Sequence, residues 1–112
     1  MASAYKNIVT TVGATGDVVV YTCPAATEAL VKNINLYNSH TGSIVILCKI
    51  TDSSASATVI LQKITLATLA SSSATADVLF TGPFVLETGD TLVFNCATAS
   101  KIQVFANVLE LS

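Results

Sequence analysis

FVLETGDTLVF, residues 84–94, sets two apolar runs on either side of Glu87, Thr88, Gly89 and Asp90. Three readings compete for the acids: catalytic carboxylates, ligands of a metal ion, or the polar tip of a β-hairpin. The flanks decide first. Leu92, Phe94 and Cys96 fall on one face of an extended segment, with Val93 and Asn95 on the other. That is the period of two a strand requires. A glycine between such runs can take positive φ, and an aspartate beside it can bond the local backbone. ETGD therefore reads as the turn of a hairpin.

The same turn chemistry recurs along the chain. Four of the five glycines follow a threonine, in Thr15-Gly16-Asp17, Thr41-Gly42-Ser43, Thr81-Gly82-Pro83 and Thr88-Gly89-Asp90. An active site is not normally built four times, so Gly16, Asp17, Gly42, Gly82, Pro83, Gly89 and Asp90 are expected to be structural turn residues. A closer echo links TGDVVVYTC (residues 15–23) to TGDTLVFNC (residues 88–96), which share Thr, Gly, Asp, a Val and the closing Cys. Common turn entry into a core strand, chance and an old internal duplication all give such a pattern.

Working outward, short runs of Val, Ile, Leu, Thr and Phe broken by Gly, Asn, Ser and Pro predict strands. They fall at Tyr5–Val12, Asp17–Cys23, Leu30–Tyr37, Ser43–Thr51, Ala57–Leu66, Asp77–Leu86, Thr91–Ala97 and Lys101–Leu111. Ile44, Ile46, Cys48 and Ile50 share one face of their strand, and Ile102, Val104, Ala106 and Val108 one face of the last. Ile44–Leu47 and Val59–Leu61 are apolar on both faces, which suits a central strand or burial against another subunit. The Ala-rich stretch Ile64–Ala76 carries a Ser/Thr cluster, so its second half is expected to be the longest loop or a poorly ordered connection. The fold expected is all-β: a single jelly-roll-like antiparallel β-sandwich of about eight strands, with residues 1–112 as one domain.

Composition narrows the function. Hydrophobic residues make up 52% of the chain and charged residues 11%, with no Arg and no Trp. So apolar and weakly charged a chain would be poorly soluble alone, and its surface is expected to be covered by copies of itself or by a larger assembly. The longest apolar stretch, Ile44–Cys48, is far short of the roughly 20 residues of a membrane-spanning helix. Too few aromatics are present for the girdles of an outer-membrane barrel. MASAYKNIVTTV, residues 1–12, has neither a basic region nor a continuous apolar core, so no secretory signal is expected and assembly in a cytoplasm is. The net charge of −2 and the lack of Arg argue against nucleic acid.

Candidate chemistry is thin. Cys23, Cys48 and Cys96 are odd in number and lack any zinc spacing, so buried free thiols are the plain expectation, with a disulfide or redox role as the alternative. His40 has no Ser, Asp or Cys partner at a motif spacing and reads as a turn residue. Glu87 and Asp90 could flank a cation, but a calcium loop normally carries a denser run of acids than ETGD. Neither a phosphate-cradling glycine loop nor a nucleophile elbow occurs. Tyr37 and Asn38, leading to His40, form the one aromatic and polar cluster that suggests a glycan. No catalytic residue, metal or cofactor is expected.

VYTCPAATEALVKNINLYN (residues 20–38) and GPFVLETGDTL (residues 82–92), followed by a closing strand at Lys101–Leu111, resemble a pattern in small virion structural proteins of tailed bacteriophages. The likeness runs over most of the chain in strand order and lies in turn and core positions, so it transfers no site. It implies a β-sandwich without catalysis that binds other virion proteins, as capsid decoration or cement proteins and tail-associated modules do. The expectation is a head decoration protein, homotrimeric, partnered by itself and the major capsid protein, located in the virion and assembled in the bacterial cytoplasm. A tail or baseplate module and a carbohydrate-binding host-attachment module are the alternatives.

Overall fold

Period-two alternation in the sequence becomes two facing antiparallel sheets. The computed structural model describes residues 3–68, 71–73 and 84–112, and every regular element among them is a strand. These are β1 (Ser3–Thr11), β2 (Gly16–Thr22), β3 (Glu28–Asn38), β4 (Ile44–Asp52), β5 (Ala57–Leu66), β6 (Ser71–Ser73), β7 (Phe84–Leu86), β8 (Thr91–Cys96) and β9 (Ile102–Leu111). One sheet runs β1-β9-β3, with β6 and β7 both paired to the far edge of β3; the other runs β2-β8-β4-β5. Because β6 and β7 lie end to end along β3, each sheet has four strand positions, and the architecture is a jelly-roll β-sandwich.

Faces follow the alternation. Ile44, Ile46 and Cys48 are buried while Val45 is exposed, and Ile102, Val104, Ala106 and Val108 close the core from the other sheet. Phe94, Ile34, Leu36, Leu86 and Leu92 are the large side chains packed fully between the layers. On the side flanked by β1 and β2, the Tyr21 hydroxyl donates to Glu110 Oε2 and ties the two sheets together.

Three expectations need correction. The first concerns ETGD, which is no hairpin: β7 pairs with β3 in one sheet and β8 with β2 and β4 in the other, so the turn is an arch between layers. Alternation around the turn is the same in both cases, and only long-range pairing separates them. The Thr-Gly turns at Gly16 and Gly42 make the same crossing, from β1 to β2 and from β3 to β4. Among the described residues, β4–β5 is the hairpin that joins strands consecutive in sequence, through Ser53–Ser56.

The second correction is local. Ser71–Ser73, expected in a loop, forms β6 against Asn35, Leu36 and Tyr37. An edge strand needs only backbone donors and acceptors, so pairing overrides the low strand propensity of serine. Of the expected strand Asp77–Leu86, Phe84–Leu86 is seen as β7; residues 77–83, with Gly82 and Pro83, lie outside the described residues.

The third correction splits the turn set. Gly16 and Gly89 take φ of +84° and +87°, whereas Gly42 takes no positive φ. Gly42 instead donates its N–H to His40 Nδ1 at 2.9 Å and accepts from Asn38 Nδ2 at 3.0 Å. Asp17 does not bond its own turn: it accepts from Lys49 Nζ at 2.9 Å and Asn95 Nδ2 at 2.6 Å across the sheet.

The sequence echo has a spatial counterpart. TGDVVVYTC and TGDTLVFNC pair antiparallel with each other, Gly16 opposite Cys96, and Cys23 exchanges backbone bonds with Gly89 and Asp90. Each glycine therefore abuts the other segment's cysteine, a local twofold arrangement.

Candidate functional site

The turn at Glu87–Asp90 is a hub. Asp90 N donates to Glu87 O at 2.9 Å, with Gly89 at the third position, where a type II turn demands positive φ. Asp90 is 5% exposed; its Oδ2 accepts from Glu87 N at 3.0 Å and its Oδ1 from Ser53 N at 3.0 Å and Ser53 Oγ at 3.3 Å. Thr88 Oγ1 donates to Thr27 O at 2.7 Å. One aspartate and one threonine thus fasten three connections together: β7–β8, the β4–β5 hairpin and the β2–β3 turn.

This hub gathers acids. One carboxylate oxygen from each of Asp52, Glu87 and Asp90 lies within 4.8 Å of the others. The sequence brought Glu87 and Asp90 together; Asp52 joins them only through the fold. Its signal was weak, an aspartate just before a serine-rich turn. Asp52 Oδ1 accepts from Ser54 N, Ser54 Oγ and Ala55 N, and the Ser54 hydroxyl holds its carboxyl below the usual value of 3.8. Both Asp90 oxygens are likewise taken by backbone donors. Asp52 and Asp90 thus act as turn caps, their bonded oxygens held by turn donors, while the Glu87 side chain stands exposed beside them.

At the opposite end Asn38, fully buried, holds the β3–β4 crossing. Its Nδ2 donates to Gly42 O, Leu66 O and Ala67 O at 3.0–3.1 Å, while Oδ1 accepts from His40 N at 2.8 Å. His40 Nδ1 accepts from Gly42 N, which fixes the ring in the turn. An asparagine on the inward phase of β3, after Ile34 and Leu36, was the readable sign of this role. Tyr37 points to the outer side of its sheet, where a hollow of about 490 Å³ is lined by Val9, Asn35, Tyr37, Gln103 and Phe105.

Cys23, Cys48 and Cys96 are free and buried. Burial pushes the Cys48 thiol up to about 12, and burial followed by nearby carboxylates raises Cys23. Since the thiolate is the reactive form, native protein should label slowly with iodoacetamide at neutral pH, and guanidinium should bring labelling to the rate of a free thiol. Fast labelling of native protein would contradict this burial.

Asp17 titrates below 3.8 because Asn95 and then Lys49 bond its carboxylate. A depressed folded value gives a stabilising contribution that is present above 3.8 and lost as the pH falls below it. Carbon-detected NMR titration should place the midpoint below 3.8, and Asn95→Ala should raise it further than Lys49→Ala; an unchanged midpoint would remove these bonds as the cause.

No protein-family model and no curated protein matches the chain. Among solved structures, a disulfide-linked pilus protein of Bacillus endospore appendages is 18% identical, with a TM-score of 0.54 over 99% of this chain and 87% of that one. The capsid of Helicobacter pylori bacteriophage KHP30 is 13% identical, with a TM-score of 0.53 over 100% and 94%. A virus-like particle of the extra small virus of the prawn Macrobrachium rosenbergii is 13% identical, with a TM-score of 0.50 over 97% and 77%. The likeness is one of fold.

Proposed function

We propose that residues 1–112 act as one non-enzymatic domain of a virus particle, a decoration or cement protein that covers a phage head shell. The observation that carries this reading is the apolar exterior. Tyr5, Val9, Val85 and Phe105 stand exposed from the sheet containing β1, and Val19, Val45 and Ile60 from the sheet containing β2. In a chain with only 11% charged residues, apolar groups on both outer faces suit a protein whose working state is covered. The jelly-roll likeness to phage and virus capsids supports the same reading, as does the phage-type pattern of turn and core residues.

The mechanism is additive burial. Each copy removes apolar surface from water at about 25 cal/mol per Å², and the gain repeats at every equivalent junction of a closed shell. The partners are further copies of the chain, as a homotrimer seated on local threefold junctions, and the major capsid protein. Nucleic acid and membrane are not partners in this scheme. Adding purified protein to capsids that lack it should give saturable binding and a higher disassembly temperature. A protein that stays monomeric and leaves such capsids unchanged would end the proposal.

The hollow beside Tyr37 favours a second reading, glycan binding for host attachment, because it sets two aromatic rings next to the amides of Asn35 and Gln103. On that reading a glycan array gives a hit that Tyr37→Ala abolishes.

A further inference from the structure

On the side flanked by β5 and β7, the described residues leave the interior of the sandwich open. The inward positions of β5 run from Leu66 and Ile64, 5% and 7% exposed, to Val59, 55% exposed. Val59 pairs with Ile50 and therefore shares the inward phase of the core residues of β4. Across from it the described part of the other sheet offers β7, three residues long, with Leu86 buried inward and Val85 exposed on the outer phase at the sheet's edge. Between them lies a cleft of about 510 Å³ with Ile50, Val59 and Val85 in its wall, rimmed by the Asp52, Glu87 and Asp90 cluster with Glu28 added.

No lysine answers these acids: the ion pairs among the described residues join Lys6 to Glu110 and Lys49 to Asp17. Among the described residues β5 ends its sheet, an edge of the kind an extended chain pairs with. The geometry points to a docking cleft for an apolar polypeptide segment bearing lysine or arginine, supplied by a different protein. A metal ion alone would leave Val59 and Val85 bare. A second copy fits poorly: the chain has a net charge of −2 and no Arg, and Lys6 and Lys49 are already paired with acids of their own chain. The inference deepens the proposed function by naming the contact surface, and it rests on that function only for where the partner is found.

The test uses the full chain and two blocked synthetic peptides with the same apolar residues, alternating with Lys in one and Glu in the other. Amide NMR should show the Lys peptide shifting Ile50, Val59, Val85 and Glu87, and the Glu peptide shifting nothing. Glu28 and Glu87 make no side-chain hydrogen bond among the described residues, so Glu28→Gln/Glu87→Gln keeps the fold and should weaken binding roughly fivefold. Val59→Thr should weaken it independently. Equal binding of both peptides, shifts elsewhere, or affinity untouched by these variants would overturn the proposal. So would calcium chloride saturating the same amides while the Lys peptide leaves them unmoved. Peptide binding by a protein absent from purified particles supports the cleft and ends the virion reading; a particle-bound protein that ignores the peptide does the reverse.

Discussion

Asn38→Asp should leave little folded protein at neutral pH. The side chain is fully buried and its amide faces three carbonyl oxygens, Gly42 O, Leu66 O and Ala67 O. A carboxylate there has one remaining donor, His40 N, and repels the three carbonyls. Leaving an uncompensated charge buried costs about 3–5 kcal/mol, a large share of a domain's stability. The sign of the pH dependence follows. Burial with a single donor, beside three carbonyl oxygens, raises the folded value above the unfolded one of about 3.9, so the penalty is smallest below that pH and grows as the pH rises through it. Urea unfolding at about pH 4 and about pH 7 should therefore show the variant closer to wild type in acid. Equal losses at both would mean that the carboxylate reaches water and that the crossing is open.

Breaking the hub at the other end should cost nearly as much. Asp90→Ala strands the N–H groups of Ser53 and Glu87, each bonded at 3.0 Å, for an expected loss of about 3 kcal/mol. Gly89→Ala should come close to it. The position has φ of +87°, and an added Cβ would lie 2.8 Å from Ser53 Oγ. Gly16→Ala is the control: φ is +84° but the space is open, so only the backbone penalty of about 1–2 kcal/mol applies. Because the arch bonds the β4–β5 hairpin, Ser53→Gly and Asp90→Ala should show a coupling of about 1 kcal/mol in a double-mutant cycle. Additive losses would return ETGD to an isolated turn.

How much of this was legible varies with the physics involved. Strand positions were readable because burial on one face imposes period two: Ala57–Leu66 and the inward Ile44, Ile46 and Cys48 stand as the sequence indicates. Partner choice was not. FVLETGDTLVF alternates identically whether its halves pair with each other or with β3 and β2, and a closed-layer topology rather than local chemistry selects the arch. β6 was hidden because serine side chains carry no strand signal, while an edge needs only backbone. The acid cluster was half legible, since Asp52 reaches Glu87 and Asp90 only after β4 and β8 become neighbours. Asn38, read from the sequence as part of a glycan-facing cluster, is instead a buried hydrogen-bonding post; its place on the inward phase after Ile34 and Leu36 was the signal passed over. The cleft between β5 and β7 needed the sheet order, because Val59 looks like any other core valine until the opposite strand is known.

The exterior gives the account its functional content. A jelly roll whose outer faces carry Tyr5, Val9, Val19, Val45, Ile60, Val85 and Phe105 loses little by being covered and gains from every copy that covers it. The most direct test is quantitative mass spectrometry of purified particles, with the chain counted against the major shell protein. The account predicts a stoichiometry matched to the shell's subunits or their junctions, repeated over the whole lattice. Absence from the particle, or a count that fits only the tail, would contradict it.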